Sequence, residues 1–178
     1  MMEQTVILRS ATPEDAPVLR EIYAPYVTNT AVSMEWEVPT VEEFRGRMEQ
    51  VLKEYPYLVA ERDGEVLGYA YASRFHPRAG FLYSAEISIY LRETCRRGGL
   101  GRRLYTEMEQ LLAVQGIKNL YASIATTTRA EDPNLTADSP LFHERMGYRT
   151  VAVFHDCCCK FGRWYDLTWM EKFIGEHP

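Results

Sequence analysis

The chain contains no apolar run long enough to cross a bilayer, so a membrane-spanning helix is not expected. Its first five residues, Met-Met-Glu-Gln-Thr, lack a basic segment followed by an apolar one and do not read as a secretory signal. Cysteine is scarce: there are four, at position 95 and in an adjacent trio at 157–159. Three sequence neighbours cannot set up a disulfide framework, and a reducing cytoplasm suits them best. Neighbouring side chains on a strand point to opposite faces, so Cys157, Cys158 and Cys159 do not converge on one ion and no metal is expected. A basic excess is also missing. With 20 Lys and Arg against 25 Asp and Glu the net charge is -5, which argues against nucleic acid as a partner. Repeats, low-complexity tracts and linkers are absent. What remains is 46% hydrophobic and 25% charged, an ordinary globular balance that predicts one domain over residues 1–178 with a sizeable core.

The stretch from Glu86 to Gly116 is the most informative. A strand (Glu86-Ile-Ser-Ile-Tyr-Leu91) runs through Arg-Glu-Thr-Cys into a basic, glycine-rich loop, Arg96-Arg-Gly-Gly-Leu-Gly101, and then into a helix. Leu100, Leu104, Met108, Leu111 and Leu112 recur at the spacing of one buried helical face, and Gly116 is the stop signal. A helix that opens this way offers unpaired N–H groups and the positive end of its dipole. Glycine admits close backbone approach, and Arg96, Arg97, Arg102 and Arg103 add charge, so the loop suits a polyphosphate anion. No Gly-Lys-Ser/Thr follows the glycines, which excludes a P-loop. The spacing of Gly98, Gly99 and Gly101 excludes the Gly-x-Gly-x-x-Gly dinucleotide fingerprint.

Along the chain, residues 5–10 predict a first strand. Thr12 caps a helix with Pro13 at its first position and Val18, Leu19 and Ile22 on its buried face. Residues 23–39 show no clear period. The capping box Thr40-Val-Glu-Glu43 opens a helix that buries Phe44, Met48, Val51 and Leu52. Residues 57–62 and 65–73 are strands joined by an Asp63-Gly64 hairpin turn. A loop over 74–83 leads into the strand at Glu86. Residues 118–125 form another strand, and 126–138 a polar loop with an Asp132-Pro133 turn. Ser139 caps a short helix, Gly147 closes it, and residues 150–154 and 164–173 are the last strands. The order is βααβββαβαββ, an α/β (α+β) fold with a mixed sheet flanked by helices.

That order, together with Arg96-x-x-Gly99-x-Gly101, resembles the GNAT acyl-CoA N-acyltransferase family. Agreement is closest with the phosphinothricin and methionine sulfone/sulfoximine acetyltransferase group, through Tyr55-Pro-Tyr-Leu-Val-Ala-Glu61, Asp63-Gly-Glu-Val-Leu-Gly-Tyr-Ala70, Phe142-His143-Glu144, Gly147-Tyr148 and Lys160-Phe-Gly-Arg-Trp164. The resemblance covers nearly the whole chain. It implies an acetyl-CoA-dependent N-acetyltransferase that transfers acetyl directly to the primary amine of a small amino-acid-like substrate, in the cytoplasm and as a homodimer. A peptide or protein N-terminus as acceptor, or a non-catalytic acyl-CoA-binding module, are the alternatives.

Such chemistry needs a base for the ammonium, a donor for the oxyanion and help for the departing thiolate. The resemblance casts Glu86 as the base and His143 as the acid, with the Leu91 N–H on the thioester oxygen. It implies that Ile89, Tyr90 and Leu91, then Arg96, Arg97, Gly98, Gly99, Leu100, Gly101 and Arg102, hold the cofactor. The family's usual asparagine is replaced by Thr136, with Asn134 as a substitute, and Ser139 completes the set as the cap. For the acceptor, Arg78, with Arg74 as fallback, is expected to clamp an anion, and Met34, Trp36, Phe75 and Tyr83 to wall the pocket.

Overall fold

A computed structural model describes residues 5–177. Seven strands form one sheet: β1 (Ile7–Ser10), β2 (Tyr57–Arg62), β3 (Glu65–Arg74), β4 (Ser84–Leu91), β5 (Asn119–Thr126), β6 (Arg149–Lys160) and β7 (Arg163–Phe173). The helices are α1 (Ala16–Thr28), α2 (Val41–Leu52), α3 (Leu100–Val114) and α4 (Asp138–Arg145), so the element order is the expected βααβββαβαββ. The spatial order is β1-β2-β3-β4-β5-β7-β6. All neighbours are antiparallel except β4 and β5, which run parallel.

Local chemistry accounts for most element ends. Thr40 accepts the Glu43 N–H at 3.1 Å while the Glu43 carboxylate accepts the Thr40 N–H at 2.8 Å, closing the capping box of α2. Asp63 and Gly64 both take positive φ in the β2–β3 turn, the conformation that Asp-Gly favours. The first helix departs from expectation at both ends. It opens as a 3-10 turn over Pro13–Asp15, and α1 then continues to Thr28. Its last turns carry Tyr23, Tyr26 and Val27 on the buried side, and aromatic residues followed by Pro25 hid that periodicity.

At the C-terminus, β6 extends to Lys160 rather than stopping at residue 154, with register shifts between Thr150 and Ala152 and between Phe154 and Cys158. Those bulges broke the two-residue alternation that a strand reading relies on. The three adjacent cysteines therefore lie on an edge strand; all are free thiols, and the Cys157 and Cys158 sulfurs are 3.8 Å apart.

The sheet separates two apolar layers. On one side α3 packs Leu104, Tyr105, Met108 and Leu112, none of them exposed, against Ala85, Ile87, Leu120 and Ala122. Each such side chain contributes about 1.5–3 kcal/mol of burial. On the other side α1 and α2 cover Tyr57, Val59 and Tyr69. No helix among the described residues is long and apolar enough to cross a membrane.

Candidate functional site

The parallel pair β4–β5 is incomplete. Only Ser84, Ala85 and Glu86 pair with Asn119, Leu120 and Tyr121; beyond them the eight-residue strands splay apart. The gap is a slot through the sheet. Ile87, Ile89, Ala122, Ile124, Tyr105 and His143 line it from the α3–α4 side, and Ser88, Tyr90, Ser123, Ala125 and Val32 from the α1 side. β4 stays paired to β3 through Gly68↔Leu91, so the slot has one rigid wall. A Cβ on Gly68 would lie 2.5 Å from the Leu91 side chain and 2.8 Å from the Tyr90 carbonyl, so the close β3–β4 approach there needs glycine.

At the mouth on the α3 side sits the basic loop. Gly99 caps α3 at φ 78°, and Arg97 also takes a positive φ of 66°. Alternating backbone handedness of this kind turns successive N–H groups toward one point, and the helix start adds its own unpaired N–H groups. A non-glycine residue held in the left-handed region marks local strain, of the kind stored at ligand-holding loops. The two signature glycines have different tasks. A Cβ on Gly99 would meet nothing within 4 Å, leaving that side open to a ligand, whereas one on Gly101 would press the Phe142 ring at 3.1 Å. Gly101 is thus a helix-packing glycine.

The arginines also divide. The Arg96 guanidinium lies 5.2 Å over the Tyr26 ring, and Arg97 approaches Asp138 at 3.5 Å. Arg103 donates to the Val6 carbonyl at 2.8 Å, away from the loop. Arg102 is exposed.

Glu86, the last β4 residue paired to β5, stands at the closed end of the slot. Its Oε1 accepts the Ser123 hydroxyl at 2.6 Å. Side chains alternate across a strand, so Glu86, Ser88 and Tyr90 share the α1 face. One carboxylate oxygen is thereby oriented, and the other is available to a proton donor.

His143 requires correction. It is buried, 3% exposed, with Nδ1 2.8 Å from the Ser139 carbonyl and Nε2 2.9 Å from the Tyr105 hydroxyl. A carbonyl only accepts, so the network assigns the proton to Nδ1 and makes Nε2 the acceptor from Tyr105. Burial pushes the imidazole pKa down to about 4, only partly opposed by the Ser139 carbonyl. A neutral ring whose one N–H is already spent is a poor general acid near neutral pH. The structure makes His143 a fixed wall of the slot.

Other expectations shift too. The Leu91 N–H donates to the Tyr26 hydroxyl at 3.2 Å, which itself donates to the Leu91 carbonyl at 2.7 Å. Ile89, two residues earlier on the same strand edge, has no partner on β5 and presents the free backbone edge instead. Ser139 is not a cap: Ala137 is, and Ser139 lies inside the first turn of α4. Asn134 is committed elsewhere, its carbonyl accepting from Ala31 at 2.8 Å and its side-chain amide donating to Asn29 at 3.2 Å. Thr136 is exposed and bonded to Asp138 at 3.1 Å.

On the acceptor side, Arg74 is paired with Glu54 at 2.5 Å and is not turned to Glu86. Arg78 is exposed beside the 3-10 turn Ala79–Phe81. Phe75 stacks on Tyr121 at 4.2 Å and meets Trp169 edge-on at 5.7 Å, on the Glu86 face of β5. Met34 packs with Ala31, Ala125, Leu135 and Tyr165. Trp36 and Tyr83 are 78% and 59% exposed and enclose nothing in this conformation.

Sequence reasoning missed Lys160. Only 4% exposed, it donates to the Thr30 and Ser33 carbonyls at 2.9 and 2.6 Å, and burial lowers its pKa. It pins the connection after α1, which lies over the slot, to the far end of β6. Ser33 continues the chain of bonds to the Tyr23 hydroxyl at 2.6 Å, which donates in turn to Glu35 at 3.1 Å. A lysine inside Lys-Phe-Gly-Arg-Trp, flanked by aromatics, was the available signal.

The splayed parallel pair leads to an N–H-rich helix start, a site that suits an anionic ligand reaching the open strand edge. The family model described as "Acetyltransferase (GNAT) domain" matches residues 8–169, and the chain belongs to that family. It is 33% identical to a phosphinothricin N-acetyltransferase from Alcaligenes faecalis, over 93% of this chain and 81% of that one. It is 31% identical to an L-methionine sulfoximine/L-methionine sulfone acetyltransferase from Salmonella typhimurium, over 96% and 95%. Among solved structures it resembles a GNAT phosphinothricin acetyltransferase from Sinorhizobium meliloti in complex with acetyl-CoA, with a TM-score of 0.86, 30% identity and coverage of 96% and 89%. The protein is an acetyl-CoA-dependent N-acetyltransferase.

Proposed function

We propose that the protein acetylates the primary amine of a small amino-acid-like substrate by direct attack within a ternary complex. The observation that supports this is the slot between β4 and β5, lined by residues from both faces of the sheet, with Glu86 bonded to the lining residue Ser123. Acetyl-CoA lies with its pyrophosphate on the backbone of residues 96–102 and its thioester against β4. The Ile89 N–H on the open strand edge takes the thioester oxygen, and it stabilises the oxyanion as the tetrahedral intermediate forms.

The acceptor enters from the α1 side. Glu86, held by Ser123, removes one proton from the ammonium directly or through water, and the free amine attacks the carbonyl carbon. Collapse of the intermediate breaks the C–S bond. CoA leaves as the thiolate, an anion whose parent thiol has a pKa of about 8.5, and takes its proton from the nitrogen that has just become an amide or from water.

Arg78 is the proposed clamp for the substrate carboxylate, on the loop that leads into β4. A homodimer is proposed as well, along the β6 edge, where Val151, Val153 and Phe154 are exposed at 45%, 40% and 53%. A monomer mass by light scattering at micromolar concentration would reject it.

The testing experiment is CoA release across a panel of amino acids, simple amines and short peptides. Amino acids are expected to react best, with Arg78→Ala raising their Michaelis constants far more than that of acetyl-CoA. Equal turnover of amines without a carboxylate removes the clamp, and preference for peptides moves the acceptor to a polypeptide N-terminus.

A further inference from the structure

The adjacent cysteines of β6 take no part in the acyl-transfer steps above. On a regular strand successive side chains point to opposite faces, which keeps neighbouring sulfurs apart. Here β6 is irregular just before them. Phe154 stands opposite Leu167 and Cys158 opposite Tyr165, so His155, Asp156 and Cys157 span a gap that β7 crosses with Asp166 alone. Asp156 takes a positive φ of 46° and donates its N–H to the Asp166 carboxylate at 2.8 Å. The His155 ring lies 3.2 Å from the other oxygen of that carboxylate. Asp166 thus holds the bulge in place. Beyond it the Cys157 and Cys158 sulfurs are in contact at 3.8 Å.

The two thiols have different surroundings. Cys157 is exposed on the outermost strand of the sheet. Cys158 is half-buried, donates to the Tyr165 carbonyl at 3.4 Å and packs against the cluster of Ala31, Ala125, Leu135 and Tyr165, as Val32 and Met34 do. Burial first, and then the contact with Cys157, holds the Cys158 thiol above its ordinary range, so it stays protonated near neutral pH. An oxidant from solvent therefore meets Cys157, with a protonated thiol directly behind it. Cys159 follows opposite Trp164 and points to the other face of the strand.

We propose that Cys157 and Cys158 form a dithiol site for hydroperoxides, which closes to a disulfide between the two neighbours and loosens the cover of the slot on the α1 side. The Cys157 thiolate attacks one peroxide oxygen, and the O–O bond breaks. The sulfur becomes a sulfenic acid, and the second oxygen leaves as an alcohol or water with the proton that Cys157 gave up. The Cys158 sulfur then displaces the hydroxyl. The S–S bond forms, the S–O bond breaks, and hydroxide leaves as water with the Cys158 proton. Two thiols are oxidised and one peroxide is reduced.

The link to the slot runs through two contacts. Lys160 lies two residues beyond Cys158 on the same strand face, and its ammonium holds the Thr30 and Ser33 carbonyls. Val32, between those two residues, lines the slot and packs in the cluster that Cys158 joins. Drawing the Cys158 sulfur onto Cys157 takes it off the Tyr165 carbonyl and out of that cluster. Residues 30–34 are then held by fewer contacts.

The test treats the whole protein with a small excess of hydrogen peroxide and follows it by thiol titration and peptide mass spectrometry. The peptide carrying Cys157 and Cys158 should lose two hydrogens, and dithiothreitol should restore them. Cys159→Ser should close in the same way, whereas Cys157→Ser should not close and Cys158→Ser should carry its oxidation on Cys157 as sulfenic or sulfinic acid. Amide hydrogen exchange over residues 30–34 should quicken at least threefold in the oxidised wild type and stay unchanged in peroxide-treated Cys157→Ser. That readout needs no acceptor, so it is independent of the substrate proposed above. Sulfinic acid on Cys157 of the wild type with Cys158 still free, closure through Cys159, or a disulfide between two chains as the main product overturns the site. Closure with exchange over 30–34 unaltered overturns its link to the slot. Cys157 is exposed, so its serine variant is expected to fold, and with the wild type it decides the matter even if Cys158→Ser does not.

Discussion

At the proposed cofactor mouth the groups on offer are mostly backbone: the start of α3, the left-handed Arg97 and Gly99, and the free edge of β4 at Ile89. At the proposed acceptor mouth they are side chains brought from distant segments, with Glu86 on Ser123, the Tyr23–Ser33–Glu35 chain, and Lys160 holding residues 30 and 33. A backbone device tolerates many side chains and needs glycine at one or two points. A side-chain device can be retuned residue by residue. This contrast teaches why one cofactor site can serve enzymes of different acceptor preference: the two mouths share the slot and β4 but few of their determinants.

The largest expected effect lies at the slot wall. His143 titrates at about 4 in the folded chain and near 6.5 unfolded. The unfolded state binds the extra proton first, so the stabilising contribution is fully present above pH 6.5 and is lost as pH falls toward 4, by about 3 kcal/mol. Thermal unfolding from pH 7 to pH 4 should show this drop, and His143→Gln should flatten it. If the slopes are the same, the buried neutral imidazole is refuted.

Glu86→Gln keeps the shape of the acceptor mouth and removes its proton acceptor. Turnover should fall about a hundredfold near neutral pH, about 2.7 kcal/mol, with acetyl-CoA affinity nearly intact. Wild-type rates across pH would rule out the base role.

Lys160→Met leaves two buried carbonyls without their donor and should lower stability by about 2 kcal/mol. If the two mouths are separable, the acceptor KM rises while calorimetry shows acetyl-CoA binding unchanged. Equal damage to both ligands would break the contrast.

Gly99→Asp is the complementary probe. It puts strain and negative charge where a Cβ meets open space, and CoA affinity should weaken at least tenfold, about 1.4 kcal/mol. An unaltered affinity in a folded variant would remove the loop from the pyrophosphate site.

The same contrast explains what could be read from sequence. The element order and the helix-opening loop were legible because each is a local signal: a capping box, an Asp-Gly turn, a glycine pair before an amphipathic run. Glu86 was placed by resemblance, and its bond to Ser123 spans 37 residues. The role of His143 could not be read, because it depends on burial by Tyr105 and on which carbonyl faces Nδ1. Serine before proline is the usual helix opening and points to Ser139 as the cap, yet the helix begins earlier, after Ala137.

The Lys160 contact also bears on the order in which the protein comes into being. Its two bonds join residues 130 and 127 positions apart, among the most distant contacts in the chain. Loop closure over that span cannot precede synthesis of β6, and non-local contacts of this kind form late. On a ribosome, the strand–loop–helix proposed to receive the cofactor is complete while the segment over the proposed acceptor mouth still lacks its Lys160 anchor. The segment that covers the slot on the α1 side is then anchored only once β6 has been made.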